Sequence, residues 1–314
     1  MSSEATFAPS SATRHPPVAR PTPGAVTLGA HDRRRTLLRR AAGMTVQHDA
    51  RAVDPGLLSR ALDVAGRLAN DAAEVITATA GRGRSTDTVK TNPFDWVTDT
   101  DRTLERHTRR VLAVEFPGVP VLGEEYGADA GVGAAPLRWV VDPVDGTANY
   151  VTGFPWYAYS LALVDAHGPV VGVIADPSRA QIYTAARGRG VRANGAPVRI
   201  RPRPVTGGLV CAELPAERAP GFARAAAAAH TGVRSLGSSA LAVTQVALGH
   251  AVAAVLDGYR EWDVAGALCL AAEAGAVVVD ADGRPDPLPT GGLVVAVPGA
   301  LDPVLSWWRA ARVV

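Results

Sequence analysis

Residues 56–79 (GLLSRALDVAGRLANDAAEVITAT) carry Leu, Val, Ala and Ile at intervals of three and four, with Asp54 and Pro55 in front. That spacing, behind a capping side chain and a proline, predicts an amphipathic helix. The same period over 101–115 predicts a second helix, stopped by Pro117 and Gly118. The pattern then shortens. Apolar runs at 119–122, 138–141, 156–165, 169–175 and 181–185 are separated by turn residues, and Asn194-Gly195 is a hairpin signal. These runs predict strands of a largely antiparallel sheet. From about residue 205 strands and helices alternate: a strand at 208–212, helices at 215–230, 238–249 and 263–274, strands at 276–280 and 292–297, and a closing helix over 300–312. The expected organisation is a tail over 1–50, a mostly antiparallel α+β lobe over 54–203 and an α/β lobe over 204–314.

Composition fits a folded body. Of 314 residues 47% are hydrophobic, yet no apolar run reaches the roughly 18 to 20 residues of a membrane span, so no membrane partner is expected. The first 50 residues are rich in Pro, Ser, Ala, Arg and Thr without a sustained period, the signature of disorder. The arginine cluster at 33–40 lacks the apolar stretch an export signal would add, and Met44 offers an alternative start. The net charge of +2 conceals an asymmetry: residues 1–54 hold eight arginines and four acids, a balance of +4, which leaves −2 for the remainder. The body therefore presents no basic field for nucleic acid. Cys211 and Cys269 sit in apolar surroundings without metal-ligand spacing, as buried thiols of a reducing cytoplasm do. Lys90 is the only lysine beside 31 arginines, which suggests a position needing a compact ammonium rather than a planar fork.

Four segments gather chemistry. In 139–150 (WVVDPVDGTANY) an apolar strand runs into Asp142-Pro143-Val144-Asp145-Gly146-Thr147. Two carboxylates three residues apart at a strand end can converge on one cation, and Gly146 lets backbone approach a ligand. If a helix starts after Gly146, its first N–H groups favour a phosphate at the same point. Hard oxygen donors of this kind select magnesium. Read alone, the segment also suits a β-turn in which Asp145 caps a helix. Glu124 and Glu125 follow the 119–122 run, Asp263 opens a small-residue helix after Trp262, and Asp95, Asp99 and Asp101 lie near Lys90. Each alone reads more readily as a solvated loop or a helix cap than as a site.

In this order and spacing the segments resemble the inositol monophosphatase family of magnesium-dependent, lithium-sensitive phosphatases. The matching residues are DPVDGTANY at 142–150, WDVAGALCLAAEAGAVVVD at 262–280, GEE at 123–125 and the Lys90 to Asp101 segment. The resemblance, from about residue 55 to the C-terminus, implies a layered α/β/α/β/α sandwich of α+β class. It also implies a phosphomonoesterase that hydrolyses inositol 1-phosphate, or a similar small polyol phosphate, by in-line attack of a metal-activated water. Two or three Mg2+ ions are implied: Glu124, Asp142 and the carbonyl of Val144 on the first, Asp142, Asp145 and Asp263 on the second, Glu124 helping a third. Gly146 and Thr147 would donate to phosphate, Thr147 held by Asp101 would orient the water, and Lys90 and Asp95 would support the cluster. A cytoplasmic homodimer is implied as well.

The alcohol is less determined. Ala148-Asn149 after Asp-Gly-Thr matches the inositol branch of the family. However, Leu256 stands six residues before Trp262, where inositol-specific members carry Glu. Asp257 is the candidate substitute if the loop shifts, Ser238 a second hydroxyl contact or a helix N-cap, and Arg260 a contact for another anionic group or a solvated loop residue. Histidinol phosphate, fructose 1,6-bisphosphate and 3′-phosphoadenosine nucleotides stay open as substrates. So does a catalytically silent, metal-binding regulatory protein on the same fold.

Overall fold

The computed structural model describes residues 53–82, 88–89 and 96–312. The tail expected over 1–50, Lys90 and Asp95 lie outside these residues. Helix α1 (Pro55–Thr79) begins where Asp54 accepts the Leu57 amide at 2.7 Å, with Pro55 at its first position. A short hairpin, β1 (Thr88–Val89) with β2 (Trp96–Val97), leads into α2 (Asp99–Glu115). Thr98 and Asp101 cap α2 reciprocally, each side chain taking the other's backbone N–H. Strands β3 (Val121–Gly123), β4 (Gly127–Ala128) and β5 (Leu137–Asp145) follow, then the one-turn helix α3 (Thr147–Thr152). Strands β6 (Ala158–Asp165), β7 (Gly168–Asp176), β8 (Gln181–Ala186), β9 (Gly190–Ala193) and β10 (Ala196–Val198) complete one sheet.

That sheet has eight strands in the order β10-β9-β8-β7-β6-β5-β3-β4, and only β3 and β5 pair in parallel. The remaining elements are β11 (Leu209–Glu213), α4 (Ala219–Ala228), β12 (Gly232–Arg234), α5 (Ser239–Ala247), β13 (Ala253–Leu256), α6 (Glu261–Ala274), β14 (Val277–Asp280), β15 (Leu293–Ala296) and α7 (Leu301–Ala311). They form a five-stranded sheet in the order β12-β11-β13-β15-β14, parallel across β12-β11-β13 and antiparallel beyond.

The strands' period of two sorts the packing. Trp139, Val141, Leu161, Leu163, Val171 and Val173 bury against α1 and α2. Val140, Ala162 and Val164 point to the opposite face and meet Ala265 of α6. Helices α5 and α6 lie between the two sheets, and α4 and α7 cover the far side of the second. The layers thus run helix, sheet, helix, sheet, helix, as the resemblance implied. One close approach needs glycine. A Cβ on Gly172 of β7 would strike the Gly266 carbonyl and come within 2.5 Å of Cys269 Cβ, so α6 sits directly on the strand.

Most predicted elements appear within a few residues. Strand β5 runs through Asp142 to Asp145, beyond the apolar run 138–141, with Asp142 and Asp145 still paired to Ser160 and Ala158 of β6. Helix α4 is shorter than 215–230. Strand β13 (AAVL) carried too little β-branched character to be read as one.

Candidate metal and phosphate site

Two acids three residues apart on a regular strand point to opposite faces. Here Asp142 pairs with Ser160 and Asp145 with Ala158, so β5 spends three residues where β6 spends two. This one-residue bulge turns both acids toward α6. Asp263, in the first turn of α6, meets them there, and the three side chains present carboxylate oxygens that all lie within 4.8 Å of one another.

Each ligand-type side chain is held from behind. Oδ1 of Asp142 accepts the Val144 amide at 3.0 Å. Asp145 accepts the Ala240 amide at 2.9 Å, the Ser239 amide at 3.3 Å and the hydroxyl of Ser238, all at the start of α5. Asp263 accepts the Arg260 amide at 2.7 Å. Glu124 follows β3, its amide donating to the Val141 carbonyl at 3.3 Å. The Val144 carbonyl accepts the Thr147 hydroxyl at 2.9 Å.

Gly146 turns the chain from β5 into α3 at φ 89° and ψ 39°, the left-handed region. A Cβ there would lie 2.9 Å from the Trp156 carbonyl and 3.1 Å from that of Gly237. Asn149 fixes those same loops, its amide donating to the carbonyls of Trp156 at 2.8 Å and Leu236 at 2.7 Å.

Electrostatics follow from crowding. Burial pushes the Asp142 carboxyl well above the usual range, and Glu124, Asp145 and Asp263 add to the rise. Asp145 is pushed the same way by burial and then by Asp263, against the hydrogen bonds from Ser238 and Ala240. Asp101 is fully buried and raised to about 7, mainly by burial, with smaller upward pushes from Glu125 and Glu124. Its Oδ2 is taken by the Thr98 amide at 2.9 Å and hydroxyl at 2.5 Å, while Oδ1 has no partner.

Buried like charges this close persist only if protonated or opposed by cations. The donors are all oxygen, which suits a hard divalent ion. With the orphaned Oδ1 of Asp101, these observations show that the residues present fit magnesium.

Three expected roles differ. Asp101 does not hold Thr147: the capping box engages one of its oxygens with Thr98, and the Thr147 hydroxyl turns to Val144. Ser238 spends its hydroxyl on Asp145 while accepting the Leu241 amide at 3.1 Å as the cap of α5. Asp257 is ion-paired with Arg218, so its carboxylate is already engaged. Leu256, at 1% exposure, belongs to the core. Sequence reasoning missed Glu105, and took Asn149 only as a branch marker rather than as the tie between two loops. Glu105 lies one helical turn beyond Asp101, on the same face, which was the available signal.

The sequence profile of the inositol monophosphatase family matches residues 57–307. The chain belongs to that family and is a phosphoric monoester hydrolase of its type. It is 36% identical over 251 residues to the inositol-1-monophosphatase of Mycobacterium bovis, covering 72% of this chain and 82% of that protein. It is 33% identical over 234 residues to the Nus factor SuhB of Xylella fastidiosa, covering 72% of this chain and 84% of that protein. Among solved structures, the extragenic suppressor protein suhB of Bartonella henselae superposes with a TM-score of 0.73 at 26% identity, covering 80% of this chain and 98% of that one.

Proposed function

We propose that the chain hydrolyses inositol 1-phosphate, or a similar small polyol phosphate, with Mg2+ held by Glu124, Asp142, the Val144 carbonyl, Asp145 and Asp263. The observation that carries the reading is the meeting of Asp142, Asp145 and Asp263 beside the Gly146 turn. Magnesium bound there supplies positive charge against the ester oxygens and acidifies water.

The chain's own residues supply the rest. The amides of Gly146 and Thr147 orient the phosphate. The unpartnered Oδ1 of Asp101 accepts a proton from the attacking water. Asp145, fixed by the start of α5, keeps the phosphate turn and the alcohol side in register.

A homodimer in the cytoplasm and inhibition by lithium belong to the same reading. The two cysteines of the body, both buried and free, suit a reducing compartment. Among the described residues no helix is long and apolar enough to cross a membrane.

The test is phosphate release with Mg2+ from a panel of inositol 1-phosphate, histidinol phosphate, fructose 1,6-bisphosphate and a 3′-phosphoadenosine nucleotide. Preference for inositol 1-phosphate supports the reading. Preference for another ester by orders of magnitude overturns the substrate assignment, and no release from any overturns the catalytic one.

A further inference from the structure

We infer that Glu105, which lies outside the ligand set, is a positioning residue for the turn that carries Glu124. The inference rests on the proposed metal site. Glu105 is on α2, four residues past Asp101, and is completely buried. Its Oε2 accepts the Glu125 amide at 2.7 Å and its Oε1 the Tyr126 amide at 3.2 Å. Arg109 Nε donates to the same Oε1 at 2.8 Å. The Arg109 guanidinium continues to Asp129 at 2.7 Å and to the Gly127 carbonyl at 2.5 Å, and Asp129 accepts the Val121 amide at 2.9 Å.

One buried carboxylate and one arginine therefore hold both strands of the β3–β4 hairpin and the peptides on the C-terminal side of Glu124. Gly123 completes the fit, because a Cβ there would fall on the Glu105 carboxylate. Two backbone donors and a guanidinium need a group that only accepts, on both oxygens. A carboxylate meets that need and an amide does not: the NH2 of Gln would face an N–H. The consequence for function lies in Glu124, whose backbone orientation is set by the two peptides that Glu105 captures. Glu105 touches neither ester nor phosphate, so its effect passes through the metal site alone.

The experiment is Mn2+ titration of the full chain, with free Mn2+ read by electron paramagnetic resonance, for the parent and Glu105→Gln. Thermal melts confirm folding. The expected result is about tenfold weaker Mn2+ binding in Glu105→Gln. At saturating Mg2+, KM for the ester stays at the parent's value and kcat recovers. Parent-like Mn2+ affinity with only a lowered melting temperature overturns the inference, since that is what a purely structural residue gives. Absence of saturable binding in the parent overturns the metal site itself, a different outcome. Should Glu105→Gln not fold, Asp129→Asn carries the test, because it loosens Arg109 at the exposed end of the network. A smaller loss of Mn2+ affinity supports the inference, and unchanged affinity overturns it.

Discussion

The hydroxyl of Ser238 donates to Oδ2 of Asp145 and joins the end of β5 to the start of α5. The same oxygen takes the Leu241 amide, so one side chain caps a helix and fixes a metal-type carboxylate. Ser238→Ala removes both. Loss of the cap costs about 1 kcal/mol, and loss of a hydrogen bond to a charged group costs about 1.5 to 3 kcal/mol. The expected outcome is a lower melting temperature and a higher Mg2+ requirement, with KM for the ester near the parent's. A raised KM with unchanged Mg2+ dependence would place the hydroxyl on the substrate instead.

Gly146→Ala puts a Cβ at a left-handed position, against the carbonyls of Trp156 and Gly237. The backbone conformation alone costs about 1 to 2 kcal/mol. The turn must also shift, and a displacement near 1 Å at a reacting centre lowers rate by about 10²-fold. Steady-state kinetics beside a thermal melt check both effects. Normal kcat in a folded variant would remove the Gly146 turn from the reaction.

The metal-free chain has a defined pH response. The carboxyl of Asp101 titrates near 7 in the fold against 3.8 ordinarily, so the folded state holds its proton more tightly than the unfolded chain does. Its contribution to stability is therefore full below about 4 and is lost as pH rises through about 7. Asp142 and Asp145 are shifted in the same direction. In chelator, melting temperature should fall over that window, and Asp101→Asn should flatten the fall. A melting temperature that rises across the window, or a slope unchanged in the variant, would contradict the burial of these acids without a cation.

Arg218 engages the Asp257 carboxylate, whose side chain is only 9% exposed. Asp257→Asn should lower the melting temperature and leave KM for inositol 1-phosphate unchanged. A large rise in KM without loss of stability would assign Asp257 to the alcohol.

The layered fold was legible because its helices and strands keep clean periods: Leu58 through Ile76 repeat at helical spacing, and Trp139 through Val141 form an apolar run. The acids of the site were legible as types at strand ends and a helix start. How Asp142 and Asp145 come to face one way was not, since it depends on a bulge opposite Ser160 and Ala158 that no local pattern marks. The side-chain partners of Asp101, Ser238 and Asp257 were not legible for a related reason, although the cap of α5 at Ser238 was. Each had a competing bond, to Thr98, Asp145 and Arg218, and the last two partners lie far away in sequence. Side-chain hydrogen bonding at such distances is decided by packing, after the elements have formed.

The proposed site holds divalent ions on carboxylates from β5 and the start of α6 together with Glu124. Crystals soaked in Mn2+ and measured at an anomalous wavelength test it most directly. Anomalous density bounded by Asp142, Asp145 and Asp263, with a neighbouring peak on Glu124 and Asp142, is the expected result, and both are lost in Asp142→Asn. Density elsewhere, or none at these side chains in the parent, would contradict it.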